Sequence, residues 1–215
     1  MKQDEQFIET VEINNQLISK REGTFADLIK LEAKTKKQSV LKGSLAPSKA
    51  DEVIKVSKFV WNIIKDSKAE VVTVSSCTRI LSGKDDNWEN YGGADDFASD
   101  EVTYKLNNFI GTNCYTIKFK VAGTCSARNP EFGGEWIPNA HVTFIECEAT
   151  FPWVVNGTAN IDTTNVSNMG TVEEPIPQVV LTIKISTKAK VALNWESHEK
   201  TFEFILNAKS GAKKV

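Results

Sequence analysis

The sequence predicts a mainly β chain (α+β): an antiparallel β-sandwich or partly open barrel with one packed amphipathic helix. Three observations lead there. Several segments alternate apolar and polar residues with the period of two that a half-buried strand requires. Two pairs of these segments align as hairpins with apolar residues opposite one another. Strands and helices do not alternate along the chain, which argues against a parallel sheet.

The longest pattern runs from Val179 to Trp195, where every odd position except Thr187 is apolar and the even positions are mostly polar. Its length predicts an internal bend or bulge. Placing Trp195 opposite Phe202 also places Leu193 opposite Phe204 and Val191 opposite Leu206, across a loop from Ser197 to Lys200. A second hairpin puts Leu106 opposite Tyr115, Tyr104 opposite Ile117 and Val102 opposite Phe119, turning between Asn108 and Asn113.

In chain order, residues 1–46 read as a leader, 47–207 as a helix plus antiparallel β domain, and 208–215 as a basic disordered tail. In the leader, Phe7, Val11, Ile13, Leu17 and Ile18 fit a short strand or an amphipathic helix, and Thr24 stands as N-cap before the helix-like stretch to Lys37. The main helix is expected over Ser48 to Lys68, with Asp51 and Glu52 in its first turn and Lys65 and Lys68 at its end. Ala69 to Leu81 is β-branched and reads as a strand. Gly123 to Asn139, rich in Gly, Asn and Pro, reads as a long loop. In Ala140 to Phe151 the apolar parity switches, which predicts a bulge near Ile145. Val154 to Ile161 suggests a short strand, and Asp162 to Pro177 a second polar loop.

The 215 residues, 40% apolar and 25% charged, suit one β-rich domain, and a net charge of −2 offers no general attraction to nucleic acid. No apolar run reaches membrane-helix length and the first residues lack a signal peptide's apolar core, so a cytoplasmic protein and one secreted after processing both fit. Cys77, Cys114, Cys125 and Cys147 include no C-x-x-C, and free buried thiols are the expected state. The sequons at Asn156 and Asn165 fit an exposed loop.

No nucleotide-binding, hydrolytic-triad or zinc-protease motif occurs, and only His141 and His198 offer near-neutral bases. His198 is expected as a solvated turn residue, and His141 cannot reach Cys147 along one strand. The chemistry-bearing candidate is an acidic loop in which Asp85, Asp86, Glu89, Asp95, Asp96, Asp100 and Glu101 stand with no Lys or Arg among them. Asp85, Asp86, Glu89, Asp95 and Asp96 could supply oxygens to Ca²⁺, with a solvated loop as the alternative. Trp88, Tyr91 and Trp136, set among Gly, Asn and Asp, are the candidate ligand-binding rings. The function expected from this reading is a non-enzymatic binding protein that recognises a glycan, a membrane surface or a protein through these loops. The alternatives are a structural subunit, a homo-oligomer built through sheet edges as in a tube or fibre, and an enzyme with an unrecognised site.

Overall fold

A computed structural model describes residues 5–30, 54–56, 60–66, 78–150, 153–191 and 194–215. Among the described residues two antiparallel sheets form. The first has nine strands in the order β2 (Gln16–Thr24), β1 (Gln6–Ile13), β7 (Val102–Asn108), β8 (Asn113–Cys125), β10 (Phe132–Ala149), β5 (Thr78–Ser82) and β3 (Ile54–Val56). Two short strands flank it, β6 (Asp95–Ala98) on β8 and β9 (Ala127–Asn129) on β10. The second has five: β14 (Gly211–Lys214), β13 (Asn194–Asn207), β12 (Pro177–Val191), β11 (Trp153–Asn168) and β4 (Val60–Asp66).

The sheets pack face to face through aromatic rings, as the alternation requires once both apolar faces leave water. Phe119 of β8 meets Phe202 and Phe204 of β13 at centroid distances of 5.3 and 6.3 Å. Tyr104 of β7 meets Phe202 at 5.7 Å, and Tyr115 of β8 meets Trp153 of β11 at 5.7 Å. The sandwich with one packed helix is therefore the fold. That helix begins at 25, behind Thr24, and is described through 30. Thr24 Oγ1 accepts from the Asp27 N–H at 3.3 Å while the Thr24 N–H donates to Asp27 Oδ2 at 3.2 Å, a reciprocal cap. Phe25 and Leu28 pass into the core.

Several expectations hold in detail. The Leu106–Tyr115, Tyr104–Ile117 and Val102–Phe119 register is the observed one. Ile145 is the extra residue of a bulge between Phe144 and Glu146. Cys114, Cys125 and Cys147 are free and buried, while Cys77 lies outside the described residues.

Others are corrected. The helix expected over Ser48 to Lys68 is strand wherever it is described, as β3 and β4. Its Val and Ile content satisfies a sheet as well as it satisfies a helical stripe, and pairing partners decided the matter. The leader's first half is the β1–β2 hairpin. Asn14 and Asn15, at φ 48° and 62°, form the two-residue turn that matches strand twist. Gly123 to Asn139 is mostly strand because irregularities absorb its Gly and Pro residues: one lies between Phe132 and Trp136, around Gly133–Gly134, and another between Ile137 and Ala140, at Pro138. Gly123 lies between β6 and β10, where a Cβ would strike the Asn139 carbonyl. The short strand at Val154 extends to Asn168, so both sequons fall within β11 rather than in a loop.

The C-terminal hairpin turns elsewhere. Phe202 faces Ile183 rather than Trp195, Phe204 faces Leu181, and Val191 faces Asn194. The alternation still puts Phe202, Phe204 and Leu206 inside, because the shift is by an even number of residues. The β12–β13 ladder runs without a register shift, so the expected bend is absent from it. The basic tail is strand β14, held at its start by Ser126, whose N–H donates to the buried Ala208 carbonyl at 2.6 Å.

Candidate functional site

The acidic loop is built as packed structure. Asp85 Oδ1 accepts from the Asn87 N–H at 3.0 Å, and Oδ2 accepts from Asn90 Nδ2 and Asn129 Nδ2, each at 2.9 Å. These donors, the Asn90 amide foremost, lower the Asp85 carboxyl pKa below its usual value. The Tyr91 hydroxyl donates to the Asp85 carbonyl at 2.7 Å and accepts from the Ser82 N–H at 3.1 Å. Asp86 and Glu89 are exposed on the loop, and Asp95 and Asp96 are exposed on β6, paired across to Cys125 and Thr124. Among the described residues no three of His, Cys, Asp and Glu converge as a cation cage needs.

The three rings separate. Trp136 has no exposed surface and Tyr91 is 8% exposed, packed edge-to-face at 6.2 Å. Both rings are buried in the core and anchor the loop. Trp88 is 48% exposed, with the Arg79 guanidinium 5.7 Å from its ring.

A second constellation was missed at sequence level. The Glu9 side chain is 1% exposed between the sheets. Its Oε1 accepts from the Tyr104 hydroxyl at 2.9 Å, and Tyr104 in turn accepts from the Tyr115 hydroxyl at 2.9 Å. Tyr104 has one proton and donates it to Glu9, so the 3.2 Å contact to His198 Nδ1 requires a proton on that nitrogen. Glu9 Oε2 lies 3.9 Å from Arg21 Nη1 and 3.8 Å from Lys200 Nζ. Burial raises the pKa of both tyrosines, so each keeps its proton.

His198 is thus a core residue, 3% exposed on β13, and not a solvated turn residue, because the turn lies further back in the chain. Parity was the available signal. Glu9 falls between Phe7 and Val11 on the inward face of β1, and Thr187 interrupts the inward apolar row of β12. His141 and Cys147 lie on opposite sides of the β10 bulge. Glu9, Tyr104, Tyr115, His198 and Lys200 of this cluster are each under 10% exposed, while the Arg21 side chain, 23% exposed, forms its margin toward water.

Four of the exposed large apolar residues lie on an outer strand and in a hairpin turn. Leu17 and Ile18 on β2 are each 56% exposed, and Phe109 and Ile110 in the β7–β8 turn are 70% and 85% exposed. What the fold and these surfaces define is a β-sandwich with an apolar core, one buried polar cluster within it, and apolar features at its margins. No family model, curated protein or solved structure matches the chain.

Proposed function

We propose that this chain is a non-enzymatic β-sandwich subunit that assembles by strand addition along β2. One observation carries the reading. β2 is the outer strand of the nine-stranded sheet, with β1 as its one partner among the described residues, and it presents Leu17 and Ile18 to water. An outer strand offers unpaired backbone groups as a template for another strand, and exposed aliphatic residues beside it add apolar area to the pairing. The burial of Tyr91 and Trp136 removes most of the support for recognition through loop aromatics. Light scattering after size exclusion, with negative-stain microscopy, tests the proposal on wild type and Ile18→Lys. Concentration-dependent oligomers lost in Ile18→Lys are expected, because the substitution removes the exposed apolar area that the pairing would bury and sets a charge in its place. A wild type that stays monomeric at every concentration overturns it.

A second reading rests on Trp88. Its exposed ring, flanked by Arg79, offers a flat surface for a sugar. A glycan array run with Trp88→Ala alongside wild type tests this.

A further inference from the structure

We infer that the strand added to β2 is β2 of a second copy, paired antiparallel about a two-fold axis at Arg21. This rests on the strand-addition reading above and specifies its partner and register. Past the bulge at Val11/Glu12, β2 runs through Lys20, Arg21 and Glu22, whose partners on β1 are Thr10, Glu9 and Ile8. Lys20 and Glu22 share the outward face, 49% and 55% exposed, with Nζ 2.5 Å from Oε1. Arg21 projects to the other face, 3.9 Å from the Glu9 carboxylate.

In a two-fold antiparallel pair, directly opposite residues share a face, so one-residue slips are forbidden by the pleat. With Arg21 opposite its own copy, each Lys20 faces the partner's Glu22, and two internal pairs become four charges of alternating sign. The nearest registers that keep the faces matched set Lys20 against Lys20 or Glu22 against Glu22. Both forgo the two cross-copy Lys20–Glu22 pairs, so charge favours the register centred on Arg21. The two Arg21 side chains then meet on the inward face, where each has its own Glu9 beside it. Ile18 to Thr24 take part, about 23 Å of strand at ~3.3 Å per residue. A charged edge with a bulge is also how proteins prevent indiscriminate pairing, and here the same residues permit one partner while rejecting others.

The test is sedimentation velocity over a concentration series on wild type, Lys20→Glu, Glu22→Lys, an equimolar mixture of these two, and the double variant K20E/E22K. Each single variant sets like charges opposite at two positions and should dimerise about tenfold more weakly. The mixture should recover a heterodimer of near wild-type affinity, and so should the double variant as a homodimer. Rescue on mixing cannot come from misfolded chains. Dimers indifferent to the charge swaps but lost in Ile18→Lys would overturn the register and leave strand addition standing. Open-ended oligomers would likewise overturn the two-fold pairing, since that pairing closes on itself. A monomeric wild type would overturn both readings.

Discussion

Replacing Glu9 by Gln keeps the side chain's size and removes the negative charge around which Tyr104, His198, Arg21 and Lys200 are arranged. At 1% exposure no water can take the place of that charge, and two cationic groups lie within 3.9 Å of one carboxylate oxygen. Removing one member of a buried ionic cluster typically costs ~3–5 kcal/mol, because the remaining charges stay desolvated. The contacts here are ion pairs at 3.8–3.9 Å with one 2.9 Å hydrogen bond, so the lower end, ~3 kcal/mol, is expected. For a domain of this size that is a fall in Tm of ~6–12 °C. Urea unfolding of wild type, Glu9→Gln, Tyr104→Phe and the double variant measures it. Tyr104→Phe alone should cost ~1–2 kcal/mol, and the double variant should fall short of the sum by ~1 kcal/mol. A Glu9→Gln protein within ~0.5 kcal/mol of wild type, with strictly additive effects, would refute the view that the cluster holds the sheets together.

Trp136→Ala should destabilise by ~3–5 kcal/mol while Trp88→Ala stays within ~0.5 kcal/mol, as thermal unfolding will show. The Asp85 carboxyl is lowered by the amides it accepts from, so its contribution is present above the unfolded value of 3.8 and is lost as pH falls through the lower folded value. Amide exchange around Asn87 to Tyr91 should therefore quicken on acidification below that range in wild type, and lack this step in Asp85→Asn. Burial pushes the Cys114 thiol up to about 11, so a thiol reagent at pH ~8 should modify it slowly in the native protein and rapidly in urea. Fast native labelling of Cys114 would contradict that placement.

Alternation made most of the sandwich legible. The 102–119 hairpin was readable for its three apolar pairs because Leu106, Tyr104 and Val102 are bounded by a turn between Asn108 and Asn113, while the irregularity at Asn107 beside that turn left no mark in the alternation. The 179–206 hairpin kept its buried face but lost its register, since aliphatic residues recur at every second position and many pairings satisfy them equally. Ser48 to Lys68 shows a different limit: β-branched residues at helical spacing leave sheet partners to decide the outcome, and those partners are far along the chain. Asn14–Asn15 was a readable turn, and reading it would have given the leader its hairpin. Loop rings of the Trp136 kind are ambiguous by nature, because a ring among Gly and Asn can face ligand or anchor the loop. Glu9 was recoverable from its parity alone, and its partners Tyr104 and His198 were not, because they come from positions 95 and 189 residues downstream.

Those separations bear on how the molecule acquires its structure. Tyr104 donates to Glu9 across 95 residues and touches His198 across 94, so the beginning, middle and end of the chain meet at one hydroxyl. Each such meeting carries the entropy of closing a long loop, which makes pairing of β1 with β7 slow compared with the β7–β8 hairpin. The polar junction can be satisfied only when all three segments have arrived in register. Until then a misdocked sheet leaves a buried carboxylate or hydroxyl without its hydrogen bonds, a penalty that greasy contacts alone would not impose. The cluster therefore sets a condition on docking that the aromatic slab alone does not, since near-native arrangements that satisfy the rings still leave these polar groups unpaired.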